Sequence, residues 1–282
     1  MSERIGFLGP EGTFAHQAAL ELAPSADLAP YADAATLFRE MERGDCAGGV
    51  LPMDNTVNGP VMPTVDALLA HEGISIFDDC VLTVSFDAFA VGDPGAGPAT
   101  VVVSHPHALA QCRDYVTALG LTTRAVGSTA AACEHLVPGE IALAAPICGD
   151  LYPVRRVALG VEDNALALTH FGLCKEGRPD PAVDTATGDV FVLRPSKNVP
   201  GILHDILAPL RDHDLNLFNI ITRPVATSPG EYVFVLFLEG VLPQSTISEL
   251  QEIWDSAHCD GRWLGPLTRR RVGGGRADAQ LR

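Results

Sequence analysis

The chain has 282 residues, of which 47% are hydrophobic and 19% charged, with a formal net charge of −16 at neutral pH. That length supports two compact units, or one large unit with an appendage. So acidic a balance argues against nucleic acids and anionic membrane surfaces as partners, and any anionic small molecule has to be held by local donors. The opening, Met1-Ser2-Glu3-Arg4-Ile5, passes straight into a strand-like run without the apolar stretch of a signal peptide. No window approaches the ~18 uncharged apolar residues of a membrane span. The seven cysteines never form C-x-x-C, so reduced, buried thiols in a cytoplasmic protein are expected.

Ile5-Gly6-Phe7-Leu8 reads as a strand, Gly9-Pro10-Glu11-Gly12 as a turn, and Thr13 as the cap of a helix beginning near Ala15. A strand, a glycine-rich turn and a helix start can present N–H groups to an anion, but the spacing is that of neither nucleotide-binding motif. Residues 34–43 form a helix by pattern. The run 47–53 is a buried strand delivering Asp54-Asn55-Thr56, which is either a binding loop at a sheet edge or an Asx-type turn. Residues 64–71 read as a helix, 74–90 as strands, 99–104 as a strand, 109–119 as a helix and 122–126 as a strand. Ser128 and Thr129 cap the next helix, and 141–145 is a strand before a short helix at 146–151. His105 and His107 alternate as on a strand; with no third ligand nearby, no metal is expected. In Ala167-Leu168-Thr169-His170-Phe171 a hydroxyl and an imidazole sit side by side between apolar residues. That suits a strand emerging at a pocket, or a buried strand with a satisfied Thr and His.

Residues 177–187 are a linker by composition. Beyond it come a strand (189–194), a helix (200–213), two strands (215–223 and 231–239), a helix (245–259) and a final strand (261–264). This β-α-β-β-α-β order is that of a ferredoxin-like module. The end of the chain, 267–282, carries Arg269-Arg270-Arg271 and a glycine-rich stretch and is expected to be disordered.

Taken together, these fragments resemble the prephenate dehydratase family over nearly the whole chain. Gly9-Pro10-Glu11-Gly12-Thr13-Phe14 matches its G-P-x-G-T-F, and Leu51-Pro52-Met53-Asp54-Asn55-Thr56 stands where it has V-P-I-E-N-S. Ser104-His105-Pro106 and Ser128-Thr129-Ala130-Ala131-Ala132 match S-H-P and S-T-A-A-A. Val161-Glu162-Asp163 and Thr169-His170-Phe171 fall at the places of I-x-D and T-R-F, and Gly201-Ile202-Leu203 and Thr222-Arg223-Pro224 resemble motifs of the family's regulatory ACT domain. The resemblance implies an α/β fold: a two-lobed, periplasmic-binding-protein-like domain over 1–177, with lobes 1–78 plus 163–177 and 79–162, then an ACT domain over 188–266. It also implies prephenate as substrate, no cofactor, an aromatic amino acid as a ligand of the ACT domain, and a homodimer or homotetramer. Carried onto this chain, Thr13, Asn55, Thr56, Ser128 and Thr129 hold the carboxylates, with Asp54 beside them. Thr169 contacts the ring hydroxyl, His170 is the altered catalytic position, Phe171 packs behind it, and Gly201, Ile202 and Leu203 belong to the effector site.

The chain departs from the pattern at the chemistry. The family's N-x-T-R-F is Ala167-Leu168-Thr169-His170-Phe171, its E-N-S is Asp54-Asn55-Thr56, and its E-S-R-P is Ile221-Thr222-Arg223-Pro224. An imidazole in place of a guanidinium loses a permanent charge and a bidentate grip. A lost charge-assisted hydrogen bond is worth roughly 1.5–3 kcal/mol, about 10- to 100-fold in rate. The expectation is therefore a prephenate decarboxylase of secondary metabolism, which removes CO2 only, with His170 as the acid that protonates the ring. The alternatives are a dehydratase giving phenylpyruvate and a non-catalytic keto-acid or amino-acid binding protein.

Overall fold

The structure, a computed structural model, describes residues 2–92, 97–181, 185–225 and 230–272. It divides into two compact units. One comprises 1–64, 80–171 and the residues from 271; the other comprises 65–79 and 172–270.

The first unit opens with β1 (Arg4–Leu8), α1 (Phe14–Leu22), β2 (Asp27–Tyr31), α2 (Ala34–Glu42), β3 (Gly48–Asn55) and the two-residue β4 (Gly59–Pro60). α3 (Met62–Ala70) and β5 (Ile74–Thr83) pass through the second unit and back. β1 pairs in parallel with both β2 and β3, and β4 folds back antiparallel on β3. Ile5, Phe7, Val50, Leu51 and Met53 are buried in this sheet, and Leu37, Phe38 and Met41 of α2 are buried with them. Glycine at 6 and 49 is what admits α2: a Cβ there would lie 2.3 Å and 2.5 Å from the methyls of Leu37.

The second sheet is built from β6 (Asp87–Val91), β7 (Val101–Ser104), β8 (Thr122–Ala125), β9 (Glu140–Ala144) and β10 (Val154–Ala158), in the order β10-β6-β9-β7-β8. Its helices are α4 (Pro106–Gln111), α5 (Arg113–Leu119), α6 (Thr129–Glu134) and α7 (Cys148–Leu151). Strand alternation sends successive residues to opposite faces. Ala88, Val102 and Leu143 join one apolar cluster with Phe86 and Cys112, while Phe89, Val103 and Ala142 join another with Ala130, Cys133 and Cys148. β11 (Leu168–Glu176) leads from the first unit into the second.

The second unit holds β12 (Gly188–Pro195), α8 (Ile202–Asp212), β13 (Leu217–Pro224), β14 (Tyr232–Glu239), α9 (Gln244–Ser256) and β15 (Cys259–Leu267). The sheet order is β13-β14-β12-β15, antiparallel throughout, which is the ferredoxin-like arrangement of an ACT module. Phe191, Leu236, Ile206, Leu250 and the fully buried Trp254 form its core, and Trp254 Nε1 donates to the Ile206 carbonyl at 2.9 Å. Arg194, Arg223 and Arg262 tie the 65–79 segment to this unit. Arg223 grips the Asp66 carboxylate through two hydrogen bonds of 2.7 Å, Arg194 donates to the Leu69 carbonyl, and Arg262 donates to those of Leu68, Glu72 and Ile74.

Several sequence expectations are corrected. β2 and β10 were not foreseen. Both are sheet edges, β2 carries Pro30, and Arg155 and Arg156 of β10 are exposed, so neither shows an alternating apolar pattern. The expected 109–119 helix is two helices, starting at Pro106 and broken at Cys112. His105 and His107 therefore lie at a helix start and not on a strand. The chain end is not disordered over 267–272. Leu267 closes β15, the Asp79 carboxylate accepts from the Thr268 and Arg269 N–H groups, and β16 (Arg270–Val272) follows. Residues 273–282 of that expectation lie outside the described residues.

Candidate active site

The first unit contains a cavity of about 580 Å³, within the usual range for small-molecule sites. Phe14 of α1, the stretch from Asn58 to Pro63, and Val84 and Phe86 form much of the wall. His105, His107, Ala108 and Gln111 of the β7–α4 corner, with Gly127, Ser128 and Thr129 at the start of α6, form the rest. Asn55 and Thr169 complete the lining.

The hairpin joining β3 to β4 fixes these last two side chains. Its turn places the Val57 and Asn58 N–H groups on Asn55 Oδ1, at 2.9 and 3.1 Å. With its oxygen so engaged, the Asn55 amide must present its NH2, which donates to Thr169 Oγ1 at 2.7 Å. The Thr169 oxygen is thus an acceptor inside the site, and its own proton is left to be donated elsewhere. An accepted hydrogen bond also strengthens the hydroxyl as a donor. Thr56 holds the same loop to the strand: its N–H donates to the Leu168 carbonyl and its Oγ1 accepts from the Leu168 N–H, both at 2.9 Å.

Of the site residues read from the sequence, Asn55, Ser128, Thr129 and Thr169 line the cavity together, and Thr13, Asp54, Thr56, His170 and Phe171 do not. Thr13 is a cap: its hydroxyl donates to the Leu8 carbonyl at 2.8 Å and accepts from the His16 N–H. Asp54 pairs with Pro60 in the β3–β4 ladder. Thr169 and Phe171 share one face of β11 and His170 takes the other, because strand side chains alternate. Phe171 is buried in packing. Ser128 caps α6 by accepting from the Ala131 N–H at 3.0 Å, which leaves its hydroxyl proton available.

Sequence reading missed His105, His107 and Gln111 as cavity residues. His107, Ala108 and Gln111 occupy one face of α4, a helical spacing hidden by reading His105 and His107 as alternating on a strand and starting the helix at Leu109. His105 Nδ1 accepts from the His107 N–H at 3.3 Å, and the two rings meet edge to face with centroids 5.0 Å apart. Burial, and then the neighbouring His107, push the His105 imidazole below its ordinary range.

Other motif residues are structural. Ser104 Oγ donates to the Leu143 carbonyl, the Glu162 carboxylate accepts from the Phe86 N–H at 2.8 Å, and Asp163 accepts from the N–H groups of Arg113 and Asp114. His16, buried against Phe7, accepts the Gly12 N–H on Nδ1, and burial lowers its pKa. In the second unit Gly201 adopts φ +91° ahead of α8, Ile202 packs against the module's core, and Leu203 is exposed. Ile202 also borders a small hollow with Pro195, Asn198, Tyr232 and Phe234. Among the described residues no group of three or more His, Cys, Asp or Glu side chains could hold a metal, and no helix is long and apolar enough to cross a membrane.

A family model described as prephenate dehydratase matches residues 5–178. A protein of Amycolatopsis methanolica named prephenate dehydratase is 31% identical over 275 residues, covering 94% of this chain and 88% of its own. One of the same name from Mycobacteroides abscessus is 32% identical over 282 residues, covering 95% and 90%. The solved structure of prephenate dehydratase from Arthrobacter aurescens, in complex with L-Phe, matches with a TM-score of 0.84 at 25% identity, over 99% of this chain and 97% of the other.

Proposed function

The chain belongs to the prephenate dehydratase family, and from that premise we propose that it is a lyase that converts prephenate to phenylpyruvate in the cavity of its first unit. The bond from the ring to its carboxylate breaks, CO2 departs, and the electron pair moves through the ring to expel the hydroxyl, which takes a proton from the Thr169 hydroxyl, restored from solvent, and leaves as water. Aromatisation supplies the driving force, so the protein's task is to bind, to orient and to assist the leaving oxygen.

The observation that carries this reading is the Asn55–Thr169 pair. A hydroxyl that already accepts from an amide, at 2.7 Å, has its proton free for the departing ring oxygen. This supports dehydration over the decarboxylase expected from the sequence. His170, the residue assigned to ring protonation, does not line the cavity, whereas Thr169 does. Non-aromatising decarboxylation stays as the second reading because Ala167 and His170 stand where the family pattern has Asn and Arg. On the ACT module we propose an aromatic amino acid as ligand, by analogy with the L-Phe complex of the Arthrobacter aurescens protein.

The test is incubation of the purified protein with prephenate at neutral pH, with products identified by mass against a no-enzyme control. Loss of CO2 and water together is the expected result. Loss of CO2 alone would establish the second reading, and saturable binding with no turnover would mark a binding protein.

A further inference from the structure

We propose that His105 and His107 are the carboxylate-recognising pair of the cavity, and that His107 sets its affinity for a doubly anionic substrate. The inference rests on the prephenate reading and adds the residue that determines charge selectivity.

Among the lining residues there is no Arg, Lys, Asp or Glu, so the two imidazoles are the side chains there that can carry positive charge. The chain as a whole carries −16, so its field opposes a dianion and the attraction has to be local. The geometry gives the two rings different parts, His105 as a neutral donor and His107 as the group that can carry the charge. The His107 N–H occupies His105 Nδ1, which puts the ring proton of neutral His105 on Nε2. His107 is exposed, on the cavity face of α4 that it shares with Ala108 and Gln111.

The elements most closely packed against α4 are β7, α5, β8 and β9. β7 has no titratable residue. Arg124 of β8 is paired with Glu140 of β9. Asp163 accepts from the backbone of Arg113 and Asp114 on α5, and neither these two nor Tyr115 lines the cavity. No fixed charge of the lining therefore competes for the pair.

The sign of the pH effect follows. Burial and the proximity of His107 disfavour the charged form of His105 in the free protein. Neutral His105 keeps Nδ1 as the acceptor of the His107 N–H and offers its Nε2 proton to a carboxylate, while a bound carboxylate favours the charged form of the His107 imidazole, so a proton is taken up on binding. Affinity is then highest at the acid end of the span over which histidine changes charge and is lost as pH rises across it.

The experiment measures KM for prephenate on the full chain between about pH 6 and pH 8.5, the span over which histidine changes charge. It uses wild type, His107→Gln, His107→Lys and the cap-preserving His105→Asn. Wild-type KM should rise about 10-fold across the range, as loss of a charge-assisted hydrogen bond requires. His107→Gln should start about 10-fold higher and flatten the profile, and His107→Lys should keep KM low at the alkaline end. His107→Gln with wild-type KM and wild-type pH dependence would overturn the proposal. If wild type consumes no prephenate, the lyase reading fails separately. The same series then runs as prephenate binding by calorimetry, where an unchanged Kd, or no binding to wild type, overturns the pair.

Discussion

Replacing Asn55 by Asp reverses one hydrogen bond while leaving the shape of the site in place. The carboxylate still accepts the Val57 and Asn58 N–H groups that hold Asn55 Oδ1 at 2.9 and 3.1 Å, so the β3–β4 turn is kept. Its second oxygen now stands where Nδ2 donates to Thr169 Oγ1 at 2.7 Å. An acceptor in that place turns the Thr169 proton toward itself and away from the cavity. A hydrogen bond to a charged group is worth about 1.5–3 kcal/mol, and the substrate's proton donor is lost by a comparable margin. The expected fall in kcat is about 100-fold, with the new negative charge also raising KM for a dianion. Steady-state phenylpyruvate formation measures both, and a thermal melt checks that the fold is intact. A variant with kcat within twofold of wild type and an unchanged melt would refute the assigned direction of this hydrogen bond.

Other expected outcomes concern single groups. Thr169→Val keeps the branched shape but removes the hydroxyl and leaves the Asn55 NH2 without its acceptor, so kcat should fall by about 100-fold; Thr169→Ser should retain most of it. Gly12→Ala should lower stability by about 1–3 kcal/mol in a denaturant titration, since Gly12 has φ +84° and a Cβ would lie 2.9 Å from Cys148 Sγ. Asp189, buried and held by Trp263 Nε1 and the Leu242 N–H, has its pKa pushed up by burial to about 6. Its folded pKa is above the unfolded ~3.9, so its contribution is fully present below the unfolded value and is lost as pH rises to about 6. Asp189→Asn should therefore be most destabilising near pH 4, with the difference from wild type shrinking by on the order of 2 kcal/mol by pH 7.

The parts of this fold that bury apolar side chains in a regular period were legible from the sequence. β1, β3 and the whole β-α-β-β-α-β run could be read because Phe7, Val50, Phe191 and Leu236 are core residues. β2 and β10 could not, because an edge strand has little to bury. Nor could the place of residues 65–79, since it depends on Arg194, Arg223 and Arg262 reaching that segment from strands more than a hundred residues away. At the site, Asn55 and Thr169 were each legible as motif members, but their hydrogen bond spans 114 positions and exists only in the fold. His170 was expected beside Thr169, and the alternation of β11 separates them. His107 and Gln111 share a helix face that shows only once Pro106 is seen to start α4.

The ratio of CO2 released to phenylpyruvate formed, with prephenate as substrate at neutral pH, tests the central claim most directly. A ratio of one to one, falling in step when Thr169 is replaced by Val, is what a hydroxyl-assisted dehydration predicts. CO2 released without phenylpyruvate, or a full rate in the Thr169→Val variant, would contradict it.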